Sequence, residues 1–329
     1  MNSPQNMEVI TVLGTIEPSD LGVTQTHEHL LIDAYDHYRD YGVVIDDEEL
    51  IVDELKNFTN SGGKTIVDVT LDEIGRNPEG LGRLSRASGV HVVMGCAWYR
   101  EFGYPSIVEE RNSNELAEIL VQEIEIGVRN TGIRAGIIGE IGTGRGHIKP
   151  AEERVFRAAA LAQAKTGIAI TTHTTRWGSL ALEQIAMLRE YGADLSRVVI
   201  GHLGDRRGLQ HLLPIAEQGV YLEVDNIGYD DYQPEWVRAD NVAALCREGF
   251  IDQVLLSEDI CMLKHLKYQG GKGYGYLLDV FVPMLRERSV TDEQIHRMLV
   301  TNPARMLARP KATPAMAMLA SEAPTEPHA

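Results

Sequence analysis

Cysteine is scarce in this chain of 329 residues: Cys96, Cys246 and Cys261 stand far apart. That excludes a disulfide framework, no C-x-x-C spacing offers a structural zinc site, and a reducing, cytoplasmic setting is expected. Long apolar runs are missing too. No stretch reaches the roughly 18 apolar residues of a membrane span, and the start, MNSPQNMEVITVLG, lacks the basic residues and the apolar run of about 7–15 residues of a signal peptide. Positive charge is in short supply, with 31 Lys and Arg against 48 Asp and Glu, a formal net charge of -17. Nucleic acid and anionic membrane surfaces would be repelled, so the expected partner is a small-molecule substrate, with a homodimer as the default assembly.

Two phosphate-binding signatures are absent as well. No G-x-G-x-x-G follows the first strand, which argues against an open dinucleotide-binding sheet, and the glycine-rich run at 270–276 does not fit G-x-x-x-x-G-K-[ST]. Repeats of about 20–50 residues are not seen beyond an alternation of strands and helices.

What is present is core material, 43% hydrophobic, in short β-branched runs alternating with helical periodicity. Eight strands are expected, at Gly22–His29, Lys64–Thr70, His91–Ala97, Ala135–Ile141, Ile168–His173, Val198–His202, Val220–Asp225 and Gln253–Ser257. Helices are expected at about 46–60, 78–88, 114–130, 151–166 and 180–191. Eight such units predict a single (β/α)8 TIM barrel over 1–308, preceded by a lead-in strand or hairpin in the first ~20 residues and followed by a mobile tail, 309–329.

Strand one ends in QTHEH, where period-two alternation points His27 and His29 to one face and Glu28 away. Alone, the pair reads equally well as two polar residues at a strand end. Catalytic groups of this barrel, however, sit at the carboxyl ends of its strands. Glu140 lies near the end of strand four, His173 and His202 end strands five and six, and Asp259 follows strand eight. Four imidazoles and two carboxylates on one rim suit two first-row divalent ions, zinc first, with manganese, cobalt or iron accepting the same donors.

Seven segments together resemble the phosphotriesterase-like branch of the amidohydrolase superfamily: QTHEHL at 25–30, VDVTLDEIGR at 67–76, AGIIGEIGT at 135–143, TTHT at 171–174, IGHLGD at 200–205, LLSED at 255–259 and NPARML at 302–307. The resemblance implies that His27, His29 and Asp259 hold a more buried ion, His173 and His202 a more exposed one, and a strand-four group bridges them. Well-known members bridge with a carboxylated lysine. This chain has Glu140 there, as in the subgroup of phosphotriesterase homology or phosphotriesterase-related proteins, so metal assembly is expected to be independent of bicarbonate and triester hydrolysis is not the first expectation. The expected reaction is metal-assisted hydrolysis of a carboxylic ester or lactone, with an N-acyl amide as the rival, triester cleavage as a side activity, and a non-catalytic metal-dependent binding protein as the reading from another class.

The same resemblance implies that Asp259 accepts the nucleophile's proton; a ligand alone is the plainer reading. Tyr99, by resemblance to lactonases, would contact the substrate carbonyl; a pocket wall is the plainer reading. Arg176 offers a fork for a carboxylate or sulfonate, although a solvent-facing arginine is commoner. His265 and Tyr268 lie in a long loop, Cys261–Tyr276, read as functional and lid-like. Asp225 is assigned a substrate or outer-sphere role and Asp68 is a further candidate for the pocket, while His37, His91, His147, His211 and His296 are left structural.

Overall fold

The structure, a computed structural model, describes residues 6–176 and 179–311. Eight strands, all parallel, form one sheet: β1 (Thr24–Glu28), β2 (Thr65–Asp68), β3 (His91–Cys96), β4 (Ile137–Gly142), β5 (Ile170–His173), β6 (Val198–Ile200), β7 (Tyr221–Val224) and β8 (Val254–Leu256). Their order in space is their order in sequence, which is the outcome of repeated βα crossovers and makes the sheet a nearly closed (β/α)8 barrel. Each observed strand lies within or one residue beyond its predicted span and is shorter overall.

The main helices are α1 (Glu48–Asn60), α2 (Pro78–Ser88), α3 (Ser113–Glu125), α4 (Pro150–Thr166), α5 (Ala181–Glu190), α6 (Leu213–Ala216) and α7 (Glu235–Arg247). Local chemistry sets their ends. Asp47 caps α1 by accepting from the Leu50 N–H, Pro78 and Pro150 occupy first turns where no N–H is needed, and Asn112 with Glu115 forms a capping box on α3. Helix α3 stops five residues before its predicted end. Ile133 and Ala135 pair back onto Val128 and Glu123 there, so the chain turns instead of extending the helix.

Val67, Val93, Ile137, Val199, Tyr221 and Leu255, one from each of six barrel strands, share a buried cluster with Ala169, Val9, Leu21, Met306 and Leu307. This layer fills the barrel and rests on the chain's two ends. The lead-in is the predicted hairpin, Met7–Thr11 with Gly14–Ile16. The tail boundary needs correcting: Arg309–Pro310 adds a strand beside Met7–Thr11, and Arg309, 2% exposed, makes two bonds to Glu125 at 2.6 and 2.9 Å. The ordered body therefore runs through at least Lys311, and the rest of the predicted tail lies outside the described residues.

Between β1 and β8 no ladder is recorded among the described residues. Isolated hydrogen bonds close that seam. The His27 N–H donates to Ser257 Oγ at 2.9 Å, and the Asp259 N–H donates to the His27 carbonyl at 3.2 Å.

Candidate metal centre and active site

Sharp turns at the strand ends aim the polar groups at the mouth. His202 and Asp259 have φ of 59° and 56°, a left-handed conformation uncommon for residues other than glycine and concentrated at functional sites. Glycine is required just beneath: a Cβ on Gly139 (φ 114°) would fall 2.0 Å from the Thr171 carbonyl oxygen, so no larger residue lets β4 approach β5 closely enough to seat Glu140 beside His173.

All six predicted ligands meet. Glu140 is central: its Oε2 is 2.8 Å from His173 Nδ1 and 3.4 Å from Nε2 of both His27 and His202, and its Oε1 is 3.5 Å from His29 Nε2. Asp259 Oδ1 lies 3.3 Å from His29 Nε2 and 4.0 Å from His27 Nε2. Three overlapping sets, His27–His29–Glu140, His27–His202–Asp259 and Glu140–His173–His202, each keep their donor atoms within 4.8 Å. Two ions sharing Glu140 fit this nitrogen and oxygen donor set.

The protonation chemistry agrees with a cation site. His27 is fully buried and neither ring nitrogen makes a hydrogen bond, an expense that coordination to a metal removes. Burial opposes charge on His27 and His29, yet Glu140, with Asp225 beside His27 and Asp259 beside His29, outweighs it and pushes the imidazoles up to about 9 and about 10. The carboxylates thus demand positive charge, which a divalent ion brings as well as protons do. His173 goes the other way, down to about 4, because burial and neighbouring His202 disfavour its cation. Its lone pair is free for a ligand role.

Outer partners orient the rings. Thr70 Oγ1 stands 2.9 Å from His29 Nδ1, and Asp68 holds Thr70 by accepting its N–H at 3.1 Å. Asp225 Oδ2 approaches His202 Nδ1 at 3.1 Å and His27 Nδ1 at 3.7 Å.

The centre opens on a cavity of about 380 Å³ whose other walls are Ile32, Ala34, Tyr38, Asp40, Val43, Ile74, Tyr99, Tyr232, Cys261 and Met262. Tyr99 is there as predicted, its hydroxyl 3.4 and 3.5 Å from the two His173 nitrogens. Burial first, then nearby Tyr38 and Glu140, holds its phenol well above the usual range, so it stays a donor.

The other predicted substrate contacts do not line this cavity. Asp225 is fully buried beneath it and serves the histidines, and Asp68 is occupied by the Leu30 and Thr70 backbones. His265 faces an adjacent cavity of about 270 Å³ and connects to the centre through Tyr229, whose hydroxyl is 2.8 Å from His265 Nδ1 and bonds the Asp259 carbonyl. Tyr268 is 71% exposed, because its loop is pinned by buried Leu266 and Tyr274 on either side. Arg176 is exposed at the rim, 4.4 Å over the Tyr232 ring. Nor is the Cys261–Tyr276 loop a lid: Tyr274 donates to the His29 carbonyl at 2.7 Å, and Cys261 and Met262 are the loop's contribution to the cavity wall.

The profile of the phosphotriesterase family matches residues 7–307. The chain belongs to that family. Among phosphotriesterase-family relatives, the phosphotriesterase homology protein of Escherichia coli (strain K12) is 38% identical over 283 residues, 86% of this chain and 97% of that protein. An N-acetyltaurine hydrolase of Danio rerio is 32% identical, covering 91% of this chain and 97% of that protein. A solved lactonase from Listeria monocytogenes superimposes with a TM-score of 0.86 at 30% identity, over 91% of this chain and 98% of that one. The solved phosphotriesterase homology protein from Escherichia coli, complexed with phosphate in its active site, gives a TM-score of 0.85 over 88% of this chain and 99% of that one. Family members thus include hydrolases of different bonds, and no helix among the described residues of this one is long and apolar enough to cross a membrane.

Sequence reasoning missed Thr70 and Tyr232, and reached Cys261 and Met262 only as part of the Cys261–Tyr276 loop. It also missed Glu28, which lies between the two histidines yet turns toward β8. A threonine two residues past Asp68 was the available signal for the first; the rest depend on loop paths.

Proposed function

We propose that this chain is a binuclear metal-dependent hydrolase of carboxylic esters or lactones, with zinc as the resident metal, acting as a cytoplasmic homodimer. The observation that carries the reading is the junction of six nitrogen and oxygen donors with a cavity whose walls include Ile32, Ala34, Val43, Ile74 and Met262. An apolar acyl chain or lactone ring suits such walls, and no Lys or Arg lines them among the described residues. Bound ions would acidify a water and polarise the substrate carbonyl.

The chain's own groups do the rest. Asp259 takes the proton as water adds to the acyl carbon and returns it to the departing alkoxide when the C–O bond breaks. Tyr99 donates a hydrogen bond to the carbonyl oxygen, which gains charge as the bond to water forms. Thr70 and Asp225 hold His29 and His202 in their orientations.

A second reading, hydrolysis of a small N-acyl amide, is supported by likeness to the N-acetyltaurine hydrolase and by the guanidinium of Arg176 over Tyr232 at the rim. Triester cleavage is kept as a side activity. The experiment is turnover by zinc- or manganese-loaded protein on one panel of lactones, aryl esters, N-acetyl amino acids, N-acetyltaurine and phosphotriesters, with a chelated control. The proposal expects lactones or esters to reach a kcat/KM of about 10⁴ M⁻¹s⁻¹ or more and to lose it on chelation. Exclusive amide cleavage would replace it with the second reading, and tight metal-dependent binding without turnover would mark a binding protein.

A further inference from the structure

Glu28 sits between two histidines of the metal centre and touches neither. Its side chain is fully buried and crosses the seam of the barrel, where Oε1 accepts from Ser257 Oγ at 2.7 Å and from the Glu258 N–H at 2.6 Å, while Oε2 accepts from the Ile260 N–H at 2.8 Å. These three donors bracket Asp259 on both sides. Asp259 itself is held in a left-handed turn, with its N–H on the His27 carbonyl at 3.2 Å and its carbonyl accepting from Tyr229.

The seam makes this grip consequential. Elsewhere around the barrel, backbone ladders fix one strand against the next, but β1 and β8 have none, so their spacing rests on these Glu28 bonds together with the single backbone bond from the Asp259 N–H to the His27 carbonyl. The same spacing sets how far Asp259 Oδ1 lies from His29 Nε2, 3.3 Å here. Ligands on β1 and β8 must converge on one ion to within a few tenths of an ångström.

We infer that Glu28 is a positioning residue: its carboxylate clamps residues 257–260 and thereby places Asp259 beside His27 and His29, so that one short stretch, His27-Glu28-His29, carries two ligands and the anchor of a third. Both oxygens are needed. An amide in place of the carboxylate keeps one acceptor but turns an N–H₂ toward another N–H, which opens one side of the clamp. This inference rests on the reading of Asp259 as a ligand.

The test is a double-mutant cycle on full-length protein loaded with cobalt(II), whose visible absorption reports coordination, together with metal affinity from competition with a chelator. Glu28→Gln is expected to change the spectrum and weaken retention of the more buried ion by about 10–100-fold, the usual effect of removing an outer partner. With Asp259→Asn already present, adding Glu28→Gln should change affinity by less than about twofold, because the clamp then has nothing to position. Fully additive losses, or a folded Glu28→Gln protein with unchanged spectrum and affinity, would overturn the inference. Should Glu28→Gln not fold, Glu28→Asp keeps the charge and both oxygens but shortens the reach to residues 257–260, and the same cycle with Asp259→Asn decides. Loss of the ligand reading itself has a separate signature, an Asp259→Asn protein that keeps both ions and its cobalt spectrum.

Discussion

Asp225 grips His202 twice, with Oδ2 3.1 Å from the ring Nδ1 and 2.8 Å from the backbone nitrogen, whose N–H it accepts. That contact fixes both the left-handed turn and the imidazole it presents, leaving Nε2 for the centre. Asp225→Ala is therefore expected to lower affinity for the more exposed ion by about 10–100-fold, read by metal titration, with the other ion less affected. Equal loss of both ions would mean that the 3.7 Å approach to His27 matters as much.

Glu140 touches all four histidines, which no other residue of the centre does. Glu140→Ala should lose at least the more exposed ion by elemental analysis. The wild-type protein should load fully from metal alone, with no gain from bicarbonate. A variant that retains both ions would sink the bridging role.

Tyr99→Phe separates a participating hydroxyl from a wall. A donor that strengthens its bond as the carbonyl gains charge is worth about 10²-fold in kcat, with KM nearly constant. An aromatic wall alone predicts a change in KM and little in kcat.

Arg176 distinguishes the two substrate readings. Charged hydrogen bonds contribute about 1.5–3 kcal/mol, so Arg176→Ala should raise KM for carboxylate- or sulfonate-bearing amides by about tenfold or more and leave neutral lactones alone. Equal effects on both classes would assign it to holding Tyr232.

Arg309→Ala tests the corrected boundary. It strands Glu125 in a site where the carboxylate side chain keeps 17% of its exposure. Loss of one partner from a fully buried pair costs about 3–5 kcal/mol, and the remaining solvent reduces this to about 2 kcal/mol in denaturant unfolding. No measurable change would return residue 309 to a loosely held tail.

Several features were legible in the residues alone. β-branched runs at regular intervals called for parallel strands, and eight of them called for a barrel, because that alternation leaves few ways to bury both faces of a sheet. The convergence of the six candidate ligands followed from position, since chemistry-bearing residues at the carboxyl ends of such strands share one rim. The chemical types did the rest: imidazole and carboxylate in that number have few uses other than metal.

Tertiary structure decided what spacing along the chain does not encode. His265 and Tyr268 lie close to Asp259 in sequence, yet the Cys261–Tyr276 loop folds down with Leu266 and Tyr274 buried beneath it and Tyr268 turned outward. Asp225 reads as a pocket residue at a strand end, but His27 and His202 crowd over it, so its carboxylate meets imidazole before it could meet substrate. Glu28 follows the same logic in reverse. Alternation along a strand says that it leaves the histidines' face; that it reaches across an unladdered seam to hold Asp259 depends on two strands 230 positions apart being brought side by side, a relation only the closed barrel creates.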